Sequence, residues 1–242
     1  MSRLRSVLCV IVLPLAASLG ACGGGGGGDS LAPGPSNTYN IAAGVSGLVT
    51  KGMKANLAVS GTLTVNGTPL PLTGTGTLSL AAAVAGTFNG ATAQAQAETV
   101  SVTVVAGGQS ASTSSTVTDY YDPATFALLG ETSTGEFDVA QSPITFPTMV
   151  TAGSSGALGT LSRYTDNTQG VSMGTAQLSY VVKAPVNASA PAVVELTNAI
   201  YDTHGALVET EVRDYSLTTA NAMLLVSSTV QKGTDTLTVT VQ

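Results

Sequence analysis

Leu57-Ala58-Val59-Ser60-Gly61-Thr62-Leu63-Thr64-Val65-Asn66-Gly67-Thr68-Pro69-Leu70-Pro71-Leu72-Thr73-Gly74-Thr75-Gly76-Thr77-Leu78-Ser79-Leu80 decides the fold. Apolar residues recur at every second position on both sides of Asn66-Gly67, which is the period of a strand with one face buried. Asn-Gly between alternating runs is a strong hairpin signal, because both residues accept the positive φ of a type I′ turn. A two-residue turn pairs Leu63 with Leu70, Gly61 with Leu72, Val59 with Gly74 and Leu57 with Gly76. Large then faces small across the ladder. Pro69 and Pro71 lack the N–H that a further strand would need, so that side of the second strand should be a local edge.

The same device recurs along the chain. Asn89-Gly90, Gly107-Gly108 and Lys232-Gly233 each separate alternating segments, and Asp122-Pro123, 166–170 and 202–205 mark further turns. Strands separated by turn signals at this spacing predict an antiparallel all-β domain, a β-sandwich or a strongly curved sheet. Helix is expected at most as one turn over 81–85. The single all-β domain is placed at 39–242, with a possible subdivision near 140–150, where the composition changes. Between Tyr39 and Thr118 the only charges are Lys51, Lys54 and Glu98, whereas most Tyr, Phe, Asp and Glu follow.

Composition limits the chemistry. Of 242 residues only 9% are charged, against an average near a quarter, and there is no Trp. A net charge of −6 excludes a phosphate-tracking nucleic-acid binder. One His and two Cys leave no basis for a zinc site or disulfide framework, so neither metal nor cofactor is expected.

The N-terminus carries an address. Met1-Ser2-Arg3-Leu4-Arg5 is a basic n-region, Val7 to Leu15 an apolar h-region, and small residues close the segment at Cys22. The apolar stretch is too short to cross a bilayer, so 1–21 reads as a signal peptide. Leu19-Gly20-Ala21-Cys22 resembles the lipobox of bacterial lipoproteins. That resemblance implies cleavage before Cys22 and acylation of its thiol and amine, and several chains make a stable anchor where one does not. Gly23 rather than Asp after the Cys implies sorting to the outer membrane, to a face the sequence leaves open. The mature chain would keep 6 basic against 14 acidic residues, a charge of −8. Residues 22–38, with six consecutive glycines at 23–28 and then Pro33-Gly34-Pro35, read as a flexible tether. Its 15 residues from Gly23 to Asn37 span roughly 20 Å root-mean-square. Lys51 and Lys54 lie close to that tether, where they would face anionic headgroups.

Several clusters hold residue types that can carry chemistry. Gly170-Val171-Ser172-Met173-Gly174 resembles the G-x-S-x-G nucleophile elbow of α/β-hydrolases, and Asp202 and His204 follow in that family's order. A strand rather than a helix follows the motif, so a serine hydrolase is the minor expectation and a non-enzymatic protein the leading one. Asp166-Asn167-Thr168-Gln169-Gly170 is faintly similar to a calcium loop but lacks the closing Glu. Tyr201-Asp202-Thr203-His204-Gly205 looks like one YD-type repeat of bacterial secreted proteins, although shared turn chemistry with Tyr121-Asp122-Pro123 and Tyr164-Thr165-Asp166 explains it. Glu131, Glu136 and Asp138, and separately Glu209, Glu211 and Asp214, alternate on strands and are expected on the solvated face.

The expectation is therefore a lipid-anchored cell-envelope protein with a structural or binding domain. Its partners would be the membrane, through Cys22, and an envelope protein. The alternative is a periplasmic carrier of lipid or another hydrophobic ligand in a half-barrel groove. A membrane-spanning barrel would need aromatic girdles that seven Tyr and four Phe, mostly in one half, do not supply.

Overall fold

The computed structural model describes residues 38–187 and 190–242. The expected signal peptide at 1–21, Cys22 and the expected tether lie outside the described residues. The described residues form one helix and thirteen strands. The helix α1 is Ile41–Lys51, and it feeds directly into β1 (Met53–Val65) and β2 (Thr68–Leu80). Then come β3 (Val84–Phe88), β4 (Ala91–Ala106), β5 (Gln109–Tyr121), β6 (Leu128–Ser133) and β7 (Glu136–Ile144). The chain continues through β8 (Ser155–Tyr164), β9 (Ser172–Lys183), β10 (Ala192–Tyr201), β11 (Leu207–Leu217), β12 (Met223–Lys232) and β13 (Asp235–Val241).

All strand pairs are antiparallel. From β4 to β13 each strand pairs with the next; β13 then pairs with β1, β1 with β2, and β2 with β4. That last pairing closes the sheet. The result is an all-β closed twelve-strand barrel, a more specific fold than the β-sandwich or strongly curved sheet expected, with β2 and β3 sharing one position beside the long β4. The first hairpin has the anticipated register, including Leu63↔Leu70, Val59↔Gly74 and Leu57↔Gly76. Asn66 and Gly67 take φ of 51° and 76° at the turn. Pairing of β2 with β4 begins at Leu72, so Pro69 and Pro71 do sit at an edge, but only a local one. Gly74 and Gly76 are required at the closure. A Cβ on either would run into the carbonyl of Thr103 or Ser101 on β4.

The helix is the second departure from expectation. Asn40 caps it, its Oδ1 accepting the Ala43 N–H at 2.8 Å. Gly52 ends it at φ 68°, donating its N–H to the Leu48 carbonyl. Ile41, Val45 and Val49 fall four apart on one face and are buried. Burying each contributes about 1.5–3 kcal/mol. Gly44 lets the helix approach Leu217 and Met223, which lie 3.0–3.1 Å from where a Cβ would stand. Buried Gln96 fixes the other end, its Nε2 donating to the carbonyls of Leu48 (3.0 Å), Val49 (3.2 Å) and Ala81 (2.9 Å). Residues 81–83 are not a helical turn; they interrupt the run from β2 into β3. The helix thus lies across one mouth of the barrel as a plug. Tyr39, just before it, pairs with Val150 in the β7–β8 connection, so the chain enters at the plugged end. Tight turns such as Asn66-Gly67, Gly107-Gly108 and Gly233-Thr234 close the opposite end.

Candidate functional site: the barrel wall and its acidic interior

Strand alternation assigns every residue to the wall's inside or outside. Inside, Leu57, Val59, Leu72, Leu78, Val100, Val102, Leu237 and Val239 belong to one apolar core that includes the helix face. Outside stand Ser60, Thr62 and Thr64 of β1, and Thr73, Thr75 and Thr77 of β2. Thr99, Ser101 and Thr103 of β4 and Thr236, Thr238 and Thr240 of β13 continue the same face. Their hydroxyls pair across strands: Thr99 with Thr116, Ser101 with Ser114 and Thr103 with Ser112 at 2.8 Å, and Thr229 with Thr238 at 3.0 Å. Exposed apolar residues also occur on the outside, Val105 and Val181 singly and Leu224 with Val226 on β12. This polarity is the reverse of a barrel in lipid, whose outer band must be apolar. The hydroxyl-lined face is that of β13, β1, β2, β4 and β5.

The inside holds charge as well as hydrocarbon. Gln96, Asp119, Glu131, Asp138 and Arg163 are direct cross-strand partners from β4 to β8, forming one row on the inner face. Asp119, Glu131 and Asp138 are each at most 2% exposed. Arg163 serves the end of the row, donating through Nε to Asp138 Oδ2 at 3.3 Å and through Nη2 to Glu136 Oε1 at 2.7 Å. Glu209, Glu211 and Arg213 face inward from β11. Arg213 Nε donates to Glu211 Oε1 at 2.6 Å, and Ser228 adds its hydroxyl at 3.2 Å. Burial is the largest influence and works against the Arg213 charge, but the Glu211 carboxylate and Tyr215 together outweigh it and hold that guanidinium above its ordinary pKa.

Arg213 Nη1 also lies 3.7 Å from Glu98 Oε2 on β4. Strands β4 and β11 are about five positions apart round a twelve-strand ring, so this pair crosses the interior. It separates two arcs. The arc through β1, β2, β12 and β13 is apolar, whereas Asp119, Glu131, Asp138, Arg163, Glu209 and Glu211 all lie on the arc from β5 to β11. The expectation of solvated carboxylates is therefore overturned for Glu131, Asp138, Glu209 and Glu211. Glu136 is partly buried, and only Asp214 faces outward, with Lys183 and Ser227. A bulge between Asp214 and Tyr215 changes the register there.

Ser172, Asp202 and His204 are brought to neighbouring turns but not into a triad. The Ser172 hydroxyl accepts the Gly174 N–H at 3.2 Å and makes no hydrogen bond to His204 among the described residues. The His204 side chain is 89% exposed, with Nδ1 4.0 Å from Asp202 Oδ2. Asp202 Oδ1 is committed to the N–H groups of His204 and Ala206. Asp122 and Asp166 cap their turns in the same way, with Ala124 and Thr125, and with Thr168. Residues 166–170 form a plain turn. All three aspartates are held below the ordinary carboxylate pKa. The main cause is the Thr125 backbone N–H for Asp122, the Thr168 hydroxyl for Asp166 and the Ala206 N–H for Asp202.

No family model matches the chain, and no curated protein matches it. Among solved structures, a porin-like protein from Bacteroides uniformis ATCC 8492 is similar at 10% identity, covering 78% of this chain and 95% of that one, with a TM-score of 0.24. The barrel assignment rests on the chain's own strand pairing.

Proposed function

We propose that the protein is a lipid-anchored, water-facing barrel of the bacterial cell envelope, held in the outer membrane through Cys22, whose domain binds or scaffolds rather than catalyses. The hydroxyl-coated outer wall carries this reading, because a barrel with such a wall needs a separate device to stay at a membrane. The lipobox at Leu19–Cys22 and the tether of 22–38 supply one, and the chain enters at the plugged end. Lys51 at the end of the helix and Lys54 at the start of β1 are exposed and adjoin that end. Cys22→Ala should abolish incorporation of labelled palmitate and release the protein from membranes. Undiminished labelling and membrane association of that variant would end the proposal.

A further inference from the structure

The two ends of the barrel differ in what they show to solvent. At the plugged end the connections 145–154, 184–191 and 218–222 hold no charged residue, and 81–83 is Ala-Ala-Ala. Met149 and Val186, in two of these connections, are the most exposed large apolar side chains among the described residues, at 77% and 92%. Those two connections run side by side. The Gly153 N–H donates to the Val182 carbonyl, and the Val182 N–H to the Ser154 carbonyl, both at 2.8 Å. Leu224, just after the third connection, extends the apolar surface onto the outer face of β12 with Val226. A charge-free rim with aliphatic side chains at its tips suits an apolar partner.

Charge divides the same way. At the plugged end Lys51 closes the helix and Lys54 follows, both exposed, against Asp122 in the β5–β6 connection. Lys183 at that rim is balanced by Glu195 at 2.7 Å and Asp214 at 3.1 Å. The opposite end carries Asp166, Asp202 and Asp235 in or beside its turns, against Lys232. An anionic surface therefore favours approach by the plugged end. The chain also enters the barrel at this end. Tyr39 and Val150 exchange backbone hydrogen bonds at 2.8 and 3.0 Å, next to Met149, and the Ala42 N–H donates to the Pro147 carbonyl at 3.1 Å. Only 15 residues separate Cys22 from Thr38. They span roughly 20 Å, so a lipid on Cys22 would hold this face near its bilayer at an effective concentration on the order of millimolar, where weak contacts suffice.

We propose that the plugged end is a membrane-docking face, a reading that rests on the anchor at Cys22. Met149 and Val186 enter the headgroup layer of the bilayer that holds the anchor, Lys51 and Lys54 meet its anionic lipids, and the tight-turn end points away. An environment-sensitive fluorophore on Met149→Cys, on Val186→Cys or, at the far end, on Thr203→Cys tests it. The protein is the acylated full-length mature chain, reconstituted in vesicles of phosphatidylethanolamine and phosphatidylglycerol. All three positions are exposed, so the fold should survive each change. Blue-shifted emission is expected at residues 149 and 186, quenched several-fold more than at 203 by lipids spin-labelled near the headgroup. Lys51→Gln with Lys54→Gln should lower that quenching several-fold on the same vesicles, and undiminished quenching would overturn the proposal. Protein that floats with the vesicles but carries water-like labels at 149 and 186 would overturn the docking and leave the anchor standing. Protein that does not float would overturn the anchor itself. A blue shift without lipid quenching would mean protein–protein contact at this face, and would overturn the docking too.

Discussion

Replacing Gln96 by Leu should loosen the plug without disturbing the wall. The amide of Gln96 donates to three carbonyls, two at the end of the helix and one at Ala81, all within 3.2 Å. Leu48 and Val49 keep other donors after the change, since their carbonyls also accept from Gly52 and Ala83 at 2.8 Å. Ala81 loses the amide outright. A buried hydrogen bond is worth about 0.5–1.5 kcal/mol, and water can reach the exposed Ala81, so the loss should total about 1–2 kcal/mol. Leu has nearly the volume of Gln, so a cavity adds little. Urea unfolding would show the loss as a lower midpoint at unchanged slope. Hydrogen exchange should quicken at the amides of residues 45–52 more than in β1 and β13. A loss below about 0.5 kcal/mol with unchanged helix protection would refute the idea that Gln96 secures the plug.

Other perturbations probe separate parts of the molecule. Gly130→Ala should cost about 1–3 kcal/mol in the same assay, because a Cβ there collides with the Asp138 carbonyl and with the Phe88 ring stacked between Tyr120 and Phe137. Asp202→Ala should lower stability at neutral pH but not in strong acid. The pKa of Asp202 is depressed on folding, so its contribution is present above the unfolded value of about 3.9 and is lost as pH falls through the lower folded value. Thermal melts of parent and variant should therefore converge as pH falls below the unfolded carboxylate value; a constant gap would be against it. Ser172→Ala and His204→Ala should leave both melting temperature and any esterase background unchanged, and loss of an esterase activity in either would restore the hydrolase reading.

What was legible in the chain was local. The hairpin turns at Asn66-Gly67 and Gly107-Gly108 follow from residues that accept positive φ, and the β1–β2 register follows from those turns. Closure was not legible, because it depends on Gly74 and Gly76 meeting Thr103 and Ser101 across an intervening strand and turn, a contact with no local signature. The helix hid behind its composition. Ile41–Lys51 holds two Gly, two Val, a Ser and a Thr, all weak helix formers, and packing inside the barrel overrides that bias. Asn40 as cap and the spacing of Ile41, Val45 and Val49 were the available signals. The interior acids were misplaced for a related reason. Alternation says that Glu131 and Asp138 share a face; only the closed wall says that this face is the inner one. Arg163 and Arg213, each two residues from an inward residue on its own strand, were the sign that the face was not solvated.

The most direct measurement concerns the outer wall. Ser101→Cys on β4 and Thr238→Cys on β13 place a thiol among the surface hydroxyls, where an environment-sensitive fluorophore can be attached in native membranes. A water-facing barrel held by Cys22 predicts the emission of an aqueous label, quenched by iodide and untouched by spin-labelled lipids. Blue-shifted emission quenched by those lipids would mean that the wall lies in the bilayer, and would contradict the account.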